Sequence, residues 1–283
     1  MRRRLAAAAA FLSVALTGCS ADDPPPPVEP SGRAAAAKAQ PPSEPEPETP
    51  AEFLALAEKA MAGEKGWTFA VKGSEELVLR GQKSGATYTA TVRRTTGETW
   101  ALHSTGTSRS KGVATPEEIY VLDGTGYVRE GGATWTHGPL SDPEIADKVE
   151  DPVAALESFR DYGDAVTLAE RADGQVELRV RTAPAALTAV RDQRVVRKAL
   201  RELTPTLEQL RAAGVTASES GITVERADES VVLDSSTYQV VSHAFRCVFR
   251  IPYEGQSMRY RQDVTERTSG TYDGAITLPA GVG

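Results

Sequence analysis

The sequence predicts an α+β domain, an antiparallel meander of strands with a few helices. Three observations carry this. Period-two alternation recurs from residue 67 onward, in runs separated by Gly, Asp and Ser turn signals. Three stretches instead place apolar residues at helical spacing: one following Thr49, one following Asp151 and one across 184–213. Two long alternating runs close the chain around Tyr253-Glu254-Gly255, each apolar on one side and charged on the other.

The chain begins with Arg2-Arg3-Arg4 and a short apolar run to Leu16, followed by Thr17, Gly18 and Cys19. A basic start, an apolar stretch and small residues before a cut are the marks of a secretory signal. The stretch is shorter than the roughly 20 residues that span a bilayer. Leu16-Thr17-Gly18-Cys19 resembles the lipobox of bacterial lipoproteins. That resemblance implies cleavage after residue 18, lipidation of Cys19 and a cell-membrane anchor on the extracytoplasmic face. Residues 19–50 follow as a disordered, Pro-rich tether, with Pro24-Pro25-Pro26-Pro27 and alternating Glu and Pro at 44–48. The globular domain is expected over 51–283.

Thr49 can cap a helix with Pro50 in its first turn. Phe53, Leu54, Ala57 and Met61 then share a face, and Gly63 and Gly66 stop it. Strands are expected at 67–72, 76–82, 87–93, 99–104, 118–122, 126–129 and 134–137, with turns at Lys83-Ser84-Gly85, Asp123-Gly124 and Gly131-Gly132. A helix from Asp151 carries Val153, Leu156 and Phe159 on one side. Strands return at 165–170 and 175–181 around Asp173-Gly174. In 184–213, Val196, Leu200, Leu203, Leu207 and Leu210 form one face, and Pro205 is expected to kink or restart the helix. Arg191, Arg194, Lys198 and Arg201 lie nearly opposite. Solvation is the plain reading of that basic face; contact with anionic lipid headgroups is the sharper one.

Composition narrows the function classes. Net charge is −7, and removal of the signal takes away three arginines, a balance ill suited to nucleic acid. Of the two cysteines, Cys19 is taken by lipid, so Cys247 has no intramolecular partner and the exported domain must rely on its core. Arg-rich, Lys-poor composition without Asn suggests a GC-rich genome, with an actinomycete the natural guess. His103, His137 and His243 have no metal-ligand spacing, and neither a nucleophile elbow nor a phosphate loop occurs. No cofactor or metal is implied, and no enzyme is expected. Asp142, Glu144, Asp147, Glu150 and Asp151 read as a solvated loop, and Cys247 as an inert packing residue.

Three segments carry a resemblance. They are 57–61 with 67–73, the central 119–128 with Trp135, and the closing Tyr272-Asp273-Gly274-Ala275-Ile276-Thr277-Leu278-Pro279. With the order of elements, they resemble the LolA-like half-barrel and, more closely, actinobacterial lipoproteins of the LppX/LprG type. The resemblance implies a strongly curved antiparallel sheet wrapped over helices, with an apolar cavity that binds or carries a lipid or acylated ligand. Trp67, Phe69, Phe245, Phe249 and Met258 are then the candidate lining. The alternative is a surface interaction or sensor module that regulates a membrane protein partner. A cavity open to ligand favours the first, and a filled interior with a conspicuous exposed patch favours the second.

Overall fold

The computed structural model describes residues 46–171, 174–212, 214–215 and 217–282. The signal, Cys19 and the tether as far as residue 45 lie outside them. Helix α1 (Pro50–Ala62) starts as expected. Thr49 accepts from the Glu52 amide while the Glu52 carboxylate accepts from the Thr49 amide, a reciprocal cap that satisfies two orphan donors. Its buried face is Phe53, Leu54, Ala57 and Met61.

The strands are β1 (Gly66–Leu79), β2 (Gln82–Thr95), β3 (Leu102–Ser110), β4 (Val113–Leu122), β5 (Thr125–Glu130), β6 (Thr136–Pro139), β7 (Thr167–Arg171), β8 (Gln175–Thr182), β9 (Ala185–Ala186), β10 (Thr223–Asp234), β11 (Val240–Tyr253) and β12 (Gln256–Thr271). They form one curved, open antiparallel sheet in the order β6-β5-β4-β3-β2-β1-β12-β11-β10-β8-β7, with β9 on the end of β10. The first and last long strands are neighbours, so the meander runs outward in both directions from the β1–β12 seam. This is the α+β half-barrel architecture that the sequence resemblance implied.

Helices α2 (Pro143–Ala146), α3 (Ala154–Arg160), α4 (Leu187–Val190) and α5 (Arg194–Ala212) enter between strands. They help to cover one sheet face: α2 packs on β5 and β6, α3 on α1, and α5 on β8 and β10. That inner face is mostly apolar. It carries Phe69 and Val71 from β1, Leu178 and Val180 from β8, and Phe245, Cys247, Phe249 and Ile251 from β11. The alternation in β11 follows the expected row, with Arg250 exposed and Arg246 half-buried on the outer side.

Several expected elements are redrawn. Residues 67–72 and 76–82 are not two strands: the stretch belongs to continuous β1 as far as Leu79. The turn falls at Arg80-Gly81 instead of Lys83-Ser84-Gly85, which lies inside β2. The strand expected at 99–104 runs to Ser110, and β4 begins at Val113 around a second unforeseen turn, Lys111-Gly112. Both turns have positive φ at both residues, as do Asp123-Gly124 and Glu254-Gly255. Such mirror-image turns match the twist of the strands they join. The 184–213 stretch divides into β9, α4 and α5, and α5 continues through Pro205. The Thr204 hydroxyl donates to the Leu200 carbonyl one turn back.

Candidate functional site

Two spaces flank α3. The first is a groove of about 740 Å³ between the end of α1 and α3. Met61, Ala62, Val153, Ala154 and Leu156 supply apolar surface, and Glu58, Arg94, Arg160 and Asp161 supply charge. Glu58 and Arg160 bridge the two helices in an ion pair. Arg94 at the end of β2 is buried, pairs with Asp151 at 2.7 Å and stacks over Trp100 at 4.5 Å. Asp151 precedes α3, so this pair pins the entry to the helix. The Asp151 carboxyl is nonetheless pushed up, because burial outweighs the nearby guanidinium.

The second space lies on the other flank of α3, below α5. It holds about 320 Å³ and is lined by Glu150, Lys198, Arg201, Glu202, His243, Phe245 and Glu266 among others. Its floor is a chain of charges. His243 on β11 sits between two carboxylates, with Nε2 2.7 Å from Glu229 of β10 and Nδ1 3.0 Å from Glu266 of β12. Glu229 also accepts from Lys198 of α5 at 2.9 Å and from the Tyr162 hydroxyl. Glu150, just before α3, meets the Glu266 carboxyl.

The protonation states follow from these contacts. Burial alone would lower the His243 pKa. Hydrogen bonds to Glu229 and Glu266 reverse this and raise it to about 9, so both ring nitrogens donate. Burial would raise Glu229, but His243, Lys198 and Tyr162 hold it down at about 2. Glu150 goes the other way: burial and the adjacent Glu266 charge push it well above the carboxylate range. Protonated Glu150 can therefore donate to Glu266. With Glu150 and Tyr162 uncharged, the two carboxylates of Glu266 and Glu229 stand against the two bases His243 and Lys198.

The expected lining residues lie in the packed interior. Trp67, Phe69, Phe245, Phe249 and Met258 are each at most 3% exposed. The Trp67 indole donates to the Met61 carbonyl at 2.7 Å, tying β1 to the end of α1. Phe249 tilts against Tyr260, and Phe245 lies 5.0 Å below the Lys198 ammonium. Phe245 alone among the five lines a described space, and that space is charged.

The basic residues do not form one free face. Arg191 pairs with Glu219 at 3.0 Å and Arg194 with Asp161 at 3.3 Å, while Lys198 turns inward to Glu229. Arg201 is exposed and borders the charged space. Helix position explains the departure: Lys198 lies three residues after buried Val195, at the flank of the buried face, so its stem follows the sheet and its head meets a buried carboxylate. His103 stacks on Tyr120 at 4.2 Å and approaches Glu118, and among the described residues no group is arranged to hold a metal. Burial raises the Cys247 thiol strongly.

The acidic stretch at 142–151 is not uniformly a solvated loop. Asp142 caps α2, and Glu150 and Asp151 both line the charged space beside α5. The charged chain itself was missed in the sequence. Its signal was present: Glu229, His243 and Glu266 each interrupt or continue the inner row of a strand where an apolar residue belongs.

No family model matches the chain, and no curated protein is significantly similar to it. Solved structures are similar at low identity. LprF from Mycobacterium bovis is 17% identical over 82% of this chain and 96% of that one, with a TM-score of 0.34. A putative outer membrane lipoprotein-sorting protein domain from Vibrio parahaemolyticus is 11% identical over 78% and 93%, at 0.29. Rv2717c from M. tuberculosis is 11% identical over 76% and 98%, at 0.23.

Proposed function

We propose that this protein is a lipoprotein anchored through Cys19 on the extracytoplasmic face of the cell membrane. Its half-barrel binds a lipid or acylated ligand, and it acts by binding and not by catalysis. The carrying observation is the groove between α1 and α3, about 740 Å³ with an apolar floor and a charged rim. An acyl chain laid over Met61 and Leu156 gains about 0.8 kcal/mol per buried methylene. Arg160, with its side chain largely exposed, stands at that rim for an anionic headgroup. Deeper entry, toward Trp67 and Phe69, requires α3 to move, since both rings are closed over in the present packing.

The test is mass spectrometry of an organic extract of protein expressed in a bacterium without residues 1–18. Stoichiometric co-purifying lipid is expected, and its loss in Leu156→Glu would place it in the groove. Lipid-free protein that takes up no fatty acid would sink the reading. A second reading has its own observation: the five candidate lining residues are packed among themselves and their neighbours. A filled interior suits a surface module that regulates a membrane partner, and a lipid-free result would select it.

A further inference from the structure

We propose that the outer face of β10, β11 and β12 holds a binding site for a phosphate group, seated by the guanidiniums of Arg246, Arg259 and Arg261, beside Arg226, whose own fork is taken by Asp228. These residues wall a depression of about 330 Å³ floored by Val248, on the sheet face opposite the helices. The site is independent of the groove between α1 and α3.

The charge count sets this face apart from an ordinary ladder of surface pairs. Glu225 is shared by Arg250 and Arg259, Asp263 by Arg246 and Arg261, and Asp228 is held by Arg226. Five guanidiniums thus meet three carboxylates, an excess of two positive charges on a chain whose net charge is −7. Glu76, paired with Arg261 across β1 and β12, is engaged by Lys83 at 3.0 Å.

The layering matters as much as the count. The three carboxylate side chains are 5–20% exposed, whereas the five arginines are 36–58% exposed. An approaching anion therefore meets N–H donors before it meets a carboxylate. Arg259 and Arg261 hydrogen-bond to their carboxylates through Nε, at 2.8 and 2.5 Å. Arg246 comes no closer to Asp263 than 3.4 Å. A guanidinium carries five donors in a planar fork, so terminal N–H groups remain for a second partner. Fork-to-oxyanion contacts are the strong class of hydrogen bond, and a phosphate monoester brings a charge close to −2, matching the excess.

The phosphate can be free inorganic phosphate or the monoester of a lipid headgroup. Calorimetric titration of the intact protein at constant ionic strength, with inorganic phosphate in one arm and monomeric short-chain phosphatidic acid in the other, separates the two. Saturable one-to-one binding is expected in at least one arm. Tighter binding of phosphatidic acid assigns the headgroup, and equal or weaker binding assigns free phosphate. Arg246→Gln removes the guanidinium with the longest internal contact, and should keep the fold while lowering affinity several-fold. Arg246→Gln with Arg261→Gln should lower it about tenfold or more. Absence of saturable binding in both arms overturns the proposal. So does unchanged affinity in Arg246→Gln, which decides alone should the double variant not fold.

Discussion

β10, β11 and β12 carry a charge cluster on each face, and the two obey different physics. On the inner face Glu229, His243 and Glu266 are each no more than 5% exposed and are linked to Lys198 and Glu150. On the outer face five arginines stand half in water above three carboxylates. The inner groups number fewer and matter more to folding, because removing one strands its partners in a medium that cannot solvate them. Outer groups are screened by water and salt, so their loss is small for folding and is felt in what the surface attracts.

The sharpest break of this comparison is Glu229→Ala. It deletes the carboxylate that takes His243, Lys198 and Tyr162 together. Buried His243 and half-buried Lys198 would lose their shared partner, at a cost of about 3–5 kcal/mol in a denaturant melt. A cost under about 1 kcal/mol would mean that water reaches the cluster and that it behaves as a surface pair.

Acidity sharpens the contrast next. His243 is raised from 6.5 to about 9, so its stabilisation is complete below 6.5 and fades as pH rises through 9. Glu150 is raised too, so the folded state increasingly loses ground to the unfolded one as pH climbs above the ordinary carboxylate value of 4.5. Glu229 is lowered from 4.5 to about 2, and its contribution disappears as pH falls across that interval. Thermal midpoints should therefore peak near pH 4.5, fall below it as Glu229 is protonated, and fall above it through Glu150, more steeply past 6.5 where His243 adds its own loss. Glu150→Gln keeps a donor for Glu266 without a charge to bury. It should raise the midpoint at alkaline pH and leave it unchanged in acid. Equal behaviour of variant and parent in alkali would show that Glu150 is already free in water.

How much of this was legible in the sequence depends on the residue. The inner row of β11 announced itself through Phe245, Phe249 and Ile251, and Thr49 with Glu52 announced the first helix. Asp123-Gly124 and Glu254-Gly255 were readable as turns, because Asp and Gly tolerate positive φ and Gly255 closes an obvious pattern break. Arg80-Gly81 and Lys111-Gly112 were not, since Arg and Lys at a left-handed position leave no compositional mark. Strand alternation told which face each residue takes but not which carboxylates meet. Glu229, His243 and Glu266 are separated by 14 to 23 positions and are joined only by register. Lys198 carried the opposite false signal: helical spacing placed it with solvated bases, and the nearby sheet supplied it a buried partner.

The outer face sets the lower limit of the comparison. Arg259 is bound to Glu225 at 2.8 Å, yet its side chain is 49% exposed, and Glu225 keeps Arg250 as a second partner. Arg259→Ala therefore leaves no carboxylate stranded, and its pair is screened by salt. The expected loss of stability is about 0.5 kcal/mol, shrinking further when salt is raised. The same urea melt that measures Glu229→Ala measures this variant, so the two faces are compared on one scale. A cost for Arg259→Ala near that of Glu229→Ala would mean that the arginine layer is a structural clamp on β11 and β12. The excess positive charge would then be tied up in holding the hairpin together, and not available to a ligand.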